Sequence, residues 1–523
     1  MRKKVIVVGA GITGLTAAVY LQRSGFDVTL IEQHSIVGGM CTSWKRKGYL
    51  FEGAIHWLTG TSPKTQVHQI WKDTGALGED IPVLLKDPFF SVEHDGQIIS
   101  LYRDINKTVK NLISISPDDA PLLKKLAKDV KNISKMEMPI ADIKGVKAKN
   151  PNPMKFGFIF KMLPALPVLR RLGKITCADF AMQLKHPGIQ RLFRIVPDKY
   201  TATSLVFTLA TLHTGDGGYP EGGSLAMVQR MAKTFTDLGG KLLLNTQVQR
   251  VNFKEYDNNK GDKNGGHGKE GDAKERCNKV DRKKEDSAGK LGTVSGVTIA
   301  NETLNADIVI VTQETIAALD RLFDSPPTDE WITEMKDNLK PAVCTFISIG
   351  VRAELPDVIL PEWTLDTPIT FGDTVINKVS FYSYRQYAPD GGTALTTISF
   401  GDTYDFWKKA KDEGRYDEEK QALAEQFRRA LCEKYPQCEG KIEVVDIATP
   451  LTYERYTGAY HGSWMSIMEP SDKMKQYPGH CKEIKGLYFA GHRLMPPGGL
   501  PSAAASGHRV AQQVCREFDV VFG

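Results

Sequence analysis

The sequence predicts an α/β protein in which a parallel sheet with crossover helices is interleaved with an α+β part built on an antiparallel sheet. Three observations predict it. Residues 4–32 read as strand, glycine triplet, helix and strand. Two further apolar strands, at 306–312 and 487–490, suit the same sheet. Residues 340–460 alternate aromatic and β-branched strands with a charged helix near 417–435, the pattern of a separate antiparallel sheet.

The opening strand, Val5-Ile6-Val7-Val8, is β-branched throughout, as suits a strand buried on both faces. Gly9, Gly11 and Gly14 follow at G-x-G-x-x-G spacing. Gly9 permits the tight turn, Gly11 lets a pyrophosphate approach the backbone, and Gly14 lets helix pack on strand. The helix N-terminus, from Ile12 and Thr13, offers unpaired N–H groups and the positive end of its dipole to phosphate. Leu15, Ala17, Ala18 and Leu21 form its apolar face, and Gly25 ends it. Val28–Ile31 is the second strand, and Glu32 at its end suits a ribose diol, about 20 residues beyond the turn. The stretch predicts dinucleotide binding.

At 523 residues the chain suits two or three interleaved domains. Its 41% hydrophobic and 25% charged residues are those of an ordinary globular protein, and a net charge of +6 makes no case for nucleic acid. Eight cysteines occur without C-x-x-C pairs, which argues against zinc and against a disulfide framework and fits a reducing cytoplasm. No metal constellation, catalytic triad or carboxylate pair emerges. The MRKK start with its apolar run imitates a leader, but the glycine turn explains it better. No run is long enough to span a membrane.

Two stretches break the pattern. Residues 141–175 carry eight Lys or Arg against the single acid Asp142, a balance of +7 that alone accounts for the whole chain's charge. Within them, 154–169 is apolar, interrupted by prolines and flanked by cations. This suits an interfacial segment on anionic lipid, and equally a helix capping the core with solvated lysines around it. Residues 254–293, with eleven bases, nine acids and almost nothing apolar, suit a disordered insertion in a hairpin. Asp95-Gly96 between two apolar runs predicts another hairpin, and Pro117 starts a helix.

After Glu32 and Gln33, a second glycine pair, Gly38-Gly39, precedes Met40, and Gly48, Phe51, Glu52 and Gly53 follow as G-x-x-F-E-G, close to a G-x-x-F-[DE]-x-G pattern. Pro220-Glu221-Gly222-Gly223 opens a helix leading back to strands around Val248, and Ala306-Asp307-Ile308-Val309-Ile310 is an A-D-x-V-I return. Near the end stand Gly491-His492 and Pro496-Pro497-Gly498-Gly499-Leu500-Pro501-Ser502-Ala503, with Thr449-Pro450-Leu451-Thr452 upstream. This set resembles the FAD-binding segments of the phytoene desaturase and carotenoid isomerase family, which includes retinol saturase, within the flavin amine oxidase superfamily. Two departures stand out: Ser502 where a glycine is frequent, and Met40-Cys41 where amine oxidases usually carry arginine.

The resemblance implies non-covalent FAD. It implies contacts from Gly9, Gly11, Ile12, Thr13, Gly14, Glu32, Gln33, Gly38, Gly39, Met40, Val248, Gly491, His492, Gly499, Leu500 and Ala503. It implies a Rossmann-type FAD-binding domain from 1–85, 215–315 and 480–523, a substrate domain from 86–140 and 316–479, and a helical, membrane-contacting or lid region at 141–214. The activity it implies is hydride transfer between flavin N5 and a C–C or C=C bond of a long apolar, polyene or isoprenoid, substrate. The electron partner would be NAD(P)H or another carrier, and the protein cytoplasmic or peripheral at a membrane. His56, next to the second glycine segment, is the best catalytic candidate, ahead of Trp57, His213, His461 and Trp464. The other readings are a flavin amine oxidase and a flavin-free, prenyl-binding escort like the Rab GDP-dissociation inhibitors.

Overall fold

A computed structural model describes residues 2–136, 140–152, 157–255, 292–300, 302–467, 469–470, 472, 475–496 and 498–523, with the side chains of 157–159 excepted. Five parallel strands form the nucleotide-type sheet, in the order Leu487–Phe489, Ile308–Val311, Lys4–Val8, Asp27–Ile31 and Lys241–Leu243. Strands from three distant parts of the chain therefore meet in one sheet. Both of its faces are buried, which explains the unbroken β-branched runs. The helices Ile12–Arg23 and Leu500–Glu517 pack against each other over one face.

A hairpin, Val248–Glu255 with Gly292–Ile299, stands beside this sheet and shares a core with it. Its ladder runs out to the Glu255–Gly292 pair, so strand persists where the charged insertion was expected to begin. Residues 256–291 lie outside the described residues.

The second sheet is antiparallel, in the order Tyr382–Tyr384, Thr393–Phe400, Cys344–Val351 and Ile442–Ala448. Its two faces do different jobs. Ile347, Ile349, Val351, Leu395 and Ile447 pack with Leu423, Phe427 and Trp407 of two covering helices. The alternate residues, including Phe346, Tyr382 and Tyr384, turn towards the segment 44–56.

The third core joins the hairpin Phe90–His94/Gln97–Leu101 to the helices Ile105–Ile115, Ala120–Ile133, Leu166–Leu172 and Ala202–His213. The hairpin turns at Asp95 and Gly96, both at positive φ, as its D-G signal predicts. Residues 89–133 thus share their core with 165–212. The basic 141–175 stretch is divided within itself. Ala165, Val168 and Leu172 are buried in this core, whereas Phe160 is 73% exposed and Leu163 52%. Among the described residues no helix is long and apolar enough to cross a membrane.

Candidate functional site

The crevice at the C-terminal ends of the parallel strands begins with backbone geometry. Gly9 has φ +102°, and a side chain there would also meet Thr312 Oγ1 at 2.9 Å. A Cβ on Gly14 would lie 1.9 Å from the Gly9 carbonyl oxygen. Gly11 is different: a Cβ there would meet only Gly38 O, at 3.8 Å, so it faces open space. Gly38 donates its N–H to Ala10 O at 2.8 Å, which brings the second glycine pair alongside the first turn. Gly38 and Gly39 both take positive φ.

Glu32 sits at this edge and is almost fully buried. Its Oε2 accepts from Ala10 N at 2.9 Å and its Oε1 from His34 N at 3.0 Å, so each oxygen keeps capacity for a further donor. Thr246 N donates to Glu32 O at 2.9 Å, which places buried Val248 nearby. Gln33 Nε2 lies 3.2 Å from His34 Nε2. Met40 is half-buried in the turn closed by Cys41 N donating to Gly38 O at 3.0 Å.

The far end of the chain joins the same crevice. Thr13 Oγ1, in the first turn of the first helix, donates to Ala503 O at 3.1 Å in the first turn of the last helix. A Cβ on Gly507 would lie 2.5 Å from Thr13 O, so that glycine lets the two helices close up. Gly491 N donates to Ser506 Oγ at 2.9 Å, and His492 Nδ1 accepts from Gly499 N at 3.2 Å. Burial pushes the His492 pKa down to about 3, with Arg493 beside it adding to the shift, so the ring is neutral and free to accept. Gly491 has nothing within 4 Å of a would-be Cβ, and Gly499 only Met465 Cε and Pro501 Cδ at 4.0 Å. Leu500 and Pro501 open the last helix. Two helix N-termini and three glycines with open space (Gly11, Gly491 and Gly499) thus border one crevice.

His56 lies elsewhere, against the antiparallel sheet. Its ring stacks on Tyr382 at 3.8 Å between centroids and on Phe346 at 6.1 Å. Its Nδ1 is 2.8 Å from Tyr384 Oη, and its Nε2 has no partner. Burial, with Lys86 nearby, lowers its pKa to about 3, so it is not a reservoir of protons at neutral pH. Of the other candidates, Trp57 packs edge-on to Phe89, His461 stacks between Tyr404 and Tyr460, and His213 faces Asp104. Trp464 has an unpartnered Nε1 and packs on Phe400. Burial raises the Cys41 thiol well above its ordinary range, the opposite of what a nucleophile for a covalent link requires. Among the described residues no metal-ligating cluster occurs.

Glu52, which the sequence shows only as one position of a motif, has a structural role that its spacing does not reveal. It is completely buried and accepts from Ala54 N, Ile55 N, Ser224 N and Tyr219 Oη at 2.9–3.1 Å, and also from Ser224 Oγ. A Cβ on Gly223 would lie 2.1 Å from its Oε2. The carboxylate therefore bolts the strand end before His56 to the start of the helix Gly223–Asp237. Both segments carry motifs, but nothing in either shows that they meet.

The cradle fits FAD, with open space where phosphate must approach the backbone and donors around it. A model of flavin-containing amine oxidoreductases matches residues 12–515. A lycopene-forming phytoene desaturase from Paracoccus sp. is 23% identical, covering 98% of this chain and 97% of its own. A neurosporene-forming phytoene desaturase from Rhodobacter capsulatus is 28% identical, covering 98% and 94%. The chloroplastic prolycopene isomerase of Daucus carota is 23% identical, covering 97% and 79%. In structure, an oxidoreductase from Methanosarcina mazei superposes with a TM-score of 0.57 at 16% identity, covering 97% and 99%, which shows the shared fold. FAD is the cofactor of this oxidoreductase, and the chain belongs to the flavin-containing amine oxidoreductase family.

Proposed function

We propose that the protein moves hydride between FAD and a C–C or C=C bond of a long apolar substrate of the polyene or isoprenoid class, as its desaturase and isomerase relatives' names suggest. The observation that carries this reading is the face of the antiparallel sheet around His56. Phe346, Tyr382 and the flat face of His56 line it, and burial keeps His56 and Tyr382 uncharged: His56 is held down at about 3 and Tyr382 is pushed up to about 12. Such a wall suits a hydrocarbon that presents no charge.

When bound, FAD supplies the hydride-accepting or hydride-donating centre. The chain's residues bind and orient it. We assign the pyrophosphate to Gly9, Gly11, Ile12, Thr13, Gly14, Gly38, Gly39 and Met40, the adenosine to Glu32, Gln33 and Val248, and the remainder to Gly491, His492, Gly499, Leu500 and Ala503. The N-terminus of the last helix favours negative charge on the reduced cofactor. Glu52 and Ser224 hold the loop that presents His56, whose Nε2 is its free atom. Net desaturation or saturation requires an electron partner, NAD(P)H or another carrier, and isomerisation requires none.

We also propose peripheral membrane contact. Phe160 and Leu163 stand exposed in the basic 141–175 stretch. A second cationic surface reinforces the reading: a groove of about 690 Å³ between the helices Ile105–Ile115 and Ala120–Ile133, lined by Lys110, Lys124, Lys128, Lys131 and Lys135 with Val109 and Ile113 between them. None of these five lysines forms an ion pair among the described residues.

The deciding experiment is anaerobic reduction and reoxidation of the bound flavin against a panel of polyenes. Bleaching or recovery of the flavin band with a polyene supports the reading. Hydrogen peroxide released with amines, and no response to polyenes, would replace it with an amine oxidase. A colourless protein that binds prenyl chains would replace it with an escort.

A further inference from the structure

Two buried arginines in this protein are treated in opposite ways. Arg191 is 9% exposed and fully served: its guanidinium donates to Glu362 Oε1 at 3.0 and 3.1 Å, to Glu93 O at 3.0 Å and to Thr364 Oγ1 at 3.3 Å. Arg493 is deeper, at 4% exposed. Its Nη2 donates to the Ser463 carbonyl, its Nη1 has no partner, and no carboxylate lies within ion-pair distance among the described residues. Glu314 is the acid that supports its charge, but that carboxylate caps a helix, accepting from Ile316 N at 3.2 Å and Ala317 N at 3.0 Å. A buried cation with neither a counter-ion nor a full set of acceptors is costly to a fold.

Its position says what is missing. Arg493 lies in the single turn His492–Leu494, straight after the parallel strand Leu487–Phe489 and Gly491. Its neighbour His492 holds the N–H of Gly499. Its own acceptor, Ser463, is two residues from Met465, whose Cε borders the open space at Gly499. The free guanidinium edge therefore lies buried just behind residues that border the crevice the glycines keep open.

We infer that Arg493 is a cofactor-binding residue whose missing counter-charge is an anionic part of FAD, the diphosphate or the reduced isoalloxazine edge. The inference rests on the FAD assignment and adds to it a residue that stands between the glycines of the C-terminal segment but is not one of the contacts the resemblance implies. Without cofactor the side chain is a liability to the protein, and with cofactor it is an anchor. The chemistry asked of it is charge pairing and hydrogen bonding, and it transfers no proton.

The test uses the full chain, wild type and Arg493→Gln, Arg493→Met and Arg493→Lys, purified with FAD and then stripped. FAD and ADP dissociation constants are measured by flavin fluorescence and competition, thermal midpoints with and without FAD, and the flavin midpoint potential. Arg493→Gln is expected to weaken FAD binding roughly tenfold or more, with partial rescue in Arg493→Lys. The cofactor-free midpoint of Arg493→Gln or Arg493→Met is expected to equal or exceed that of wild type. An equal loss for ADP assigns the contact to the diphosphate. A loss confined to FAD with a fall in midpoint potential assigns it to the reduced ring. Binding of FAD within twofold of wild type in all three variants overturns the inference while leaving the FAD assignment intact, as does a cofactor-free midpoint that falls as far as the loaded one. Should the Gln and Met variants not fold, the guanidinium is needed without cofactor and the inference falls. A wild-type chain that retains no FAD overturns both.

Discussion

The nucleotide-type sheet and the helical region at 89–133 and 165–212 handle charge and backbone in contrasting ways. Around the sheet, polar groups other than Arg493 are largely spent inside the fold. Glu32 is tied to Ala10 and His34, Thr13 to Ala503, and Gly491 to Ser506. In the helical region, buried Arg191 is fully paired but cations are left over at the surface. Among the described residues the five groove lysines have no ion-pair partners, while Arg171 pairs with the nearly buried Asp129. The difference teaches that the first region is built to present backbone N–H groups at fixed positions, whereas the second leaves side-chain charge on its surface.

The largest expected effect tests the fixed positions. Gly14→Ala places a methyl group 1.9 Å from a backbone oxygen that cannot give way. It should cost about 2–3 kcal/mol of stability and abolish flavin retention, read by the ratio of flavin to protein absorbance and by thermal unfolding. Normal flavin content in that variant would break the comparison at its rigid end.

Next comes Glu52→Ala, which strands the donors of Ala54, Ile55, Ser224 and Tyr219. A loss of about 2–4 kcal/mol is expected, with flavin binding weakened through the displaced loop. Unfolding in denaturant reads the first and flavin titration the second.

The pH profile is third. His56 and His492 are neutral in the fold, with pKa values lowered to about 3 from an ordinary 6.5. A depressed folded-state pKa gives stability that is complete above the unfolded value and is lost as pH falls below it. Thermal midpoints should therefore hold above pH 6.5 and decline between there and about pH 3, and His492→Asn should flatten the slope. An unchanged slope would show that acid attacks other groups.

On the outward-facing side, Lys128→Glu with Lys131→Glu should weaken binding to phosphatidylserine-containing vesicles about tenfold or more, with flavin content unchanged. Retained binding, lost instead when 157–171 is made polar, would move the membrane-facing surface to the Phe160 segment. The smallest effect is Lys147→Ala, which removes an exposed ion pair and should shift stability by less than about 0.5 kcal/mol.

The cofactor half of this protein was legible because its determinants are local. A strand, three glycines and a helix state their purpose within thirty residues, and the tail 486–507 does the same. The 141–175 stretch was legible only as a pair of readings. The structure divides it, burying Val168 and Leu172 while leaving Phe160 and Leu163 exposed. Composition could not make that division, because it does not say which side of a short helix meets the core. The lysine groove escaped notice for a related reason: its cations come from two helices and look like ordinary solvated surface on either one.

The sequence alone determined the α/β class, the parallel strands and a dinucleotide site, since each rests on backbone conformations that a few neighbouring residues dictate, and the resemblance of its motif segments pointed to the family and its cofactor. Only the tertiary structure decided that Glu52 holds Ser224, that His56 lies on Tyr382, and that Arg493 is buried without a counter-ion. Those facts depend on segments about 30 to more than 300 residues apart, and burial and hydrogen bonding across such distances follow from how the sheets pack.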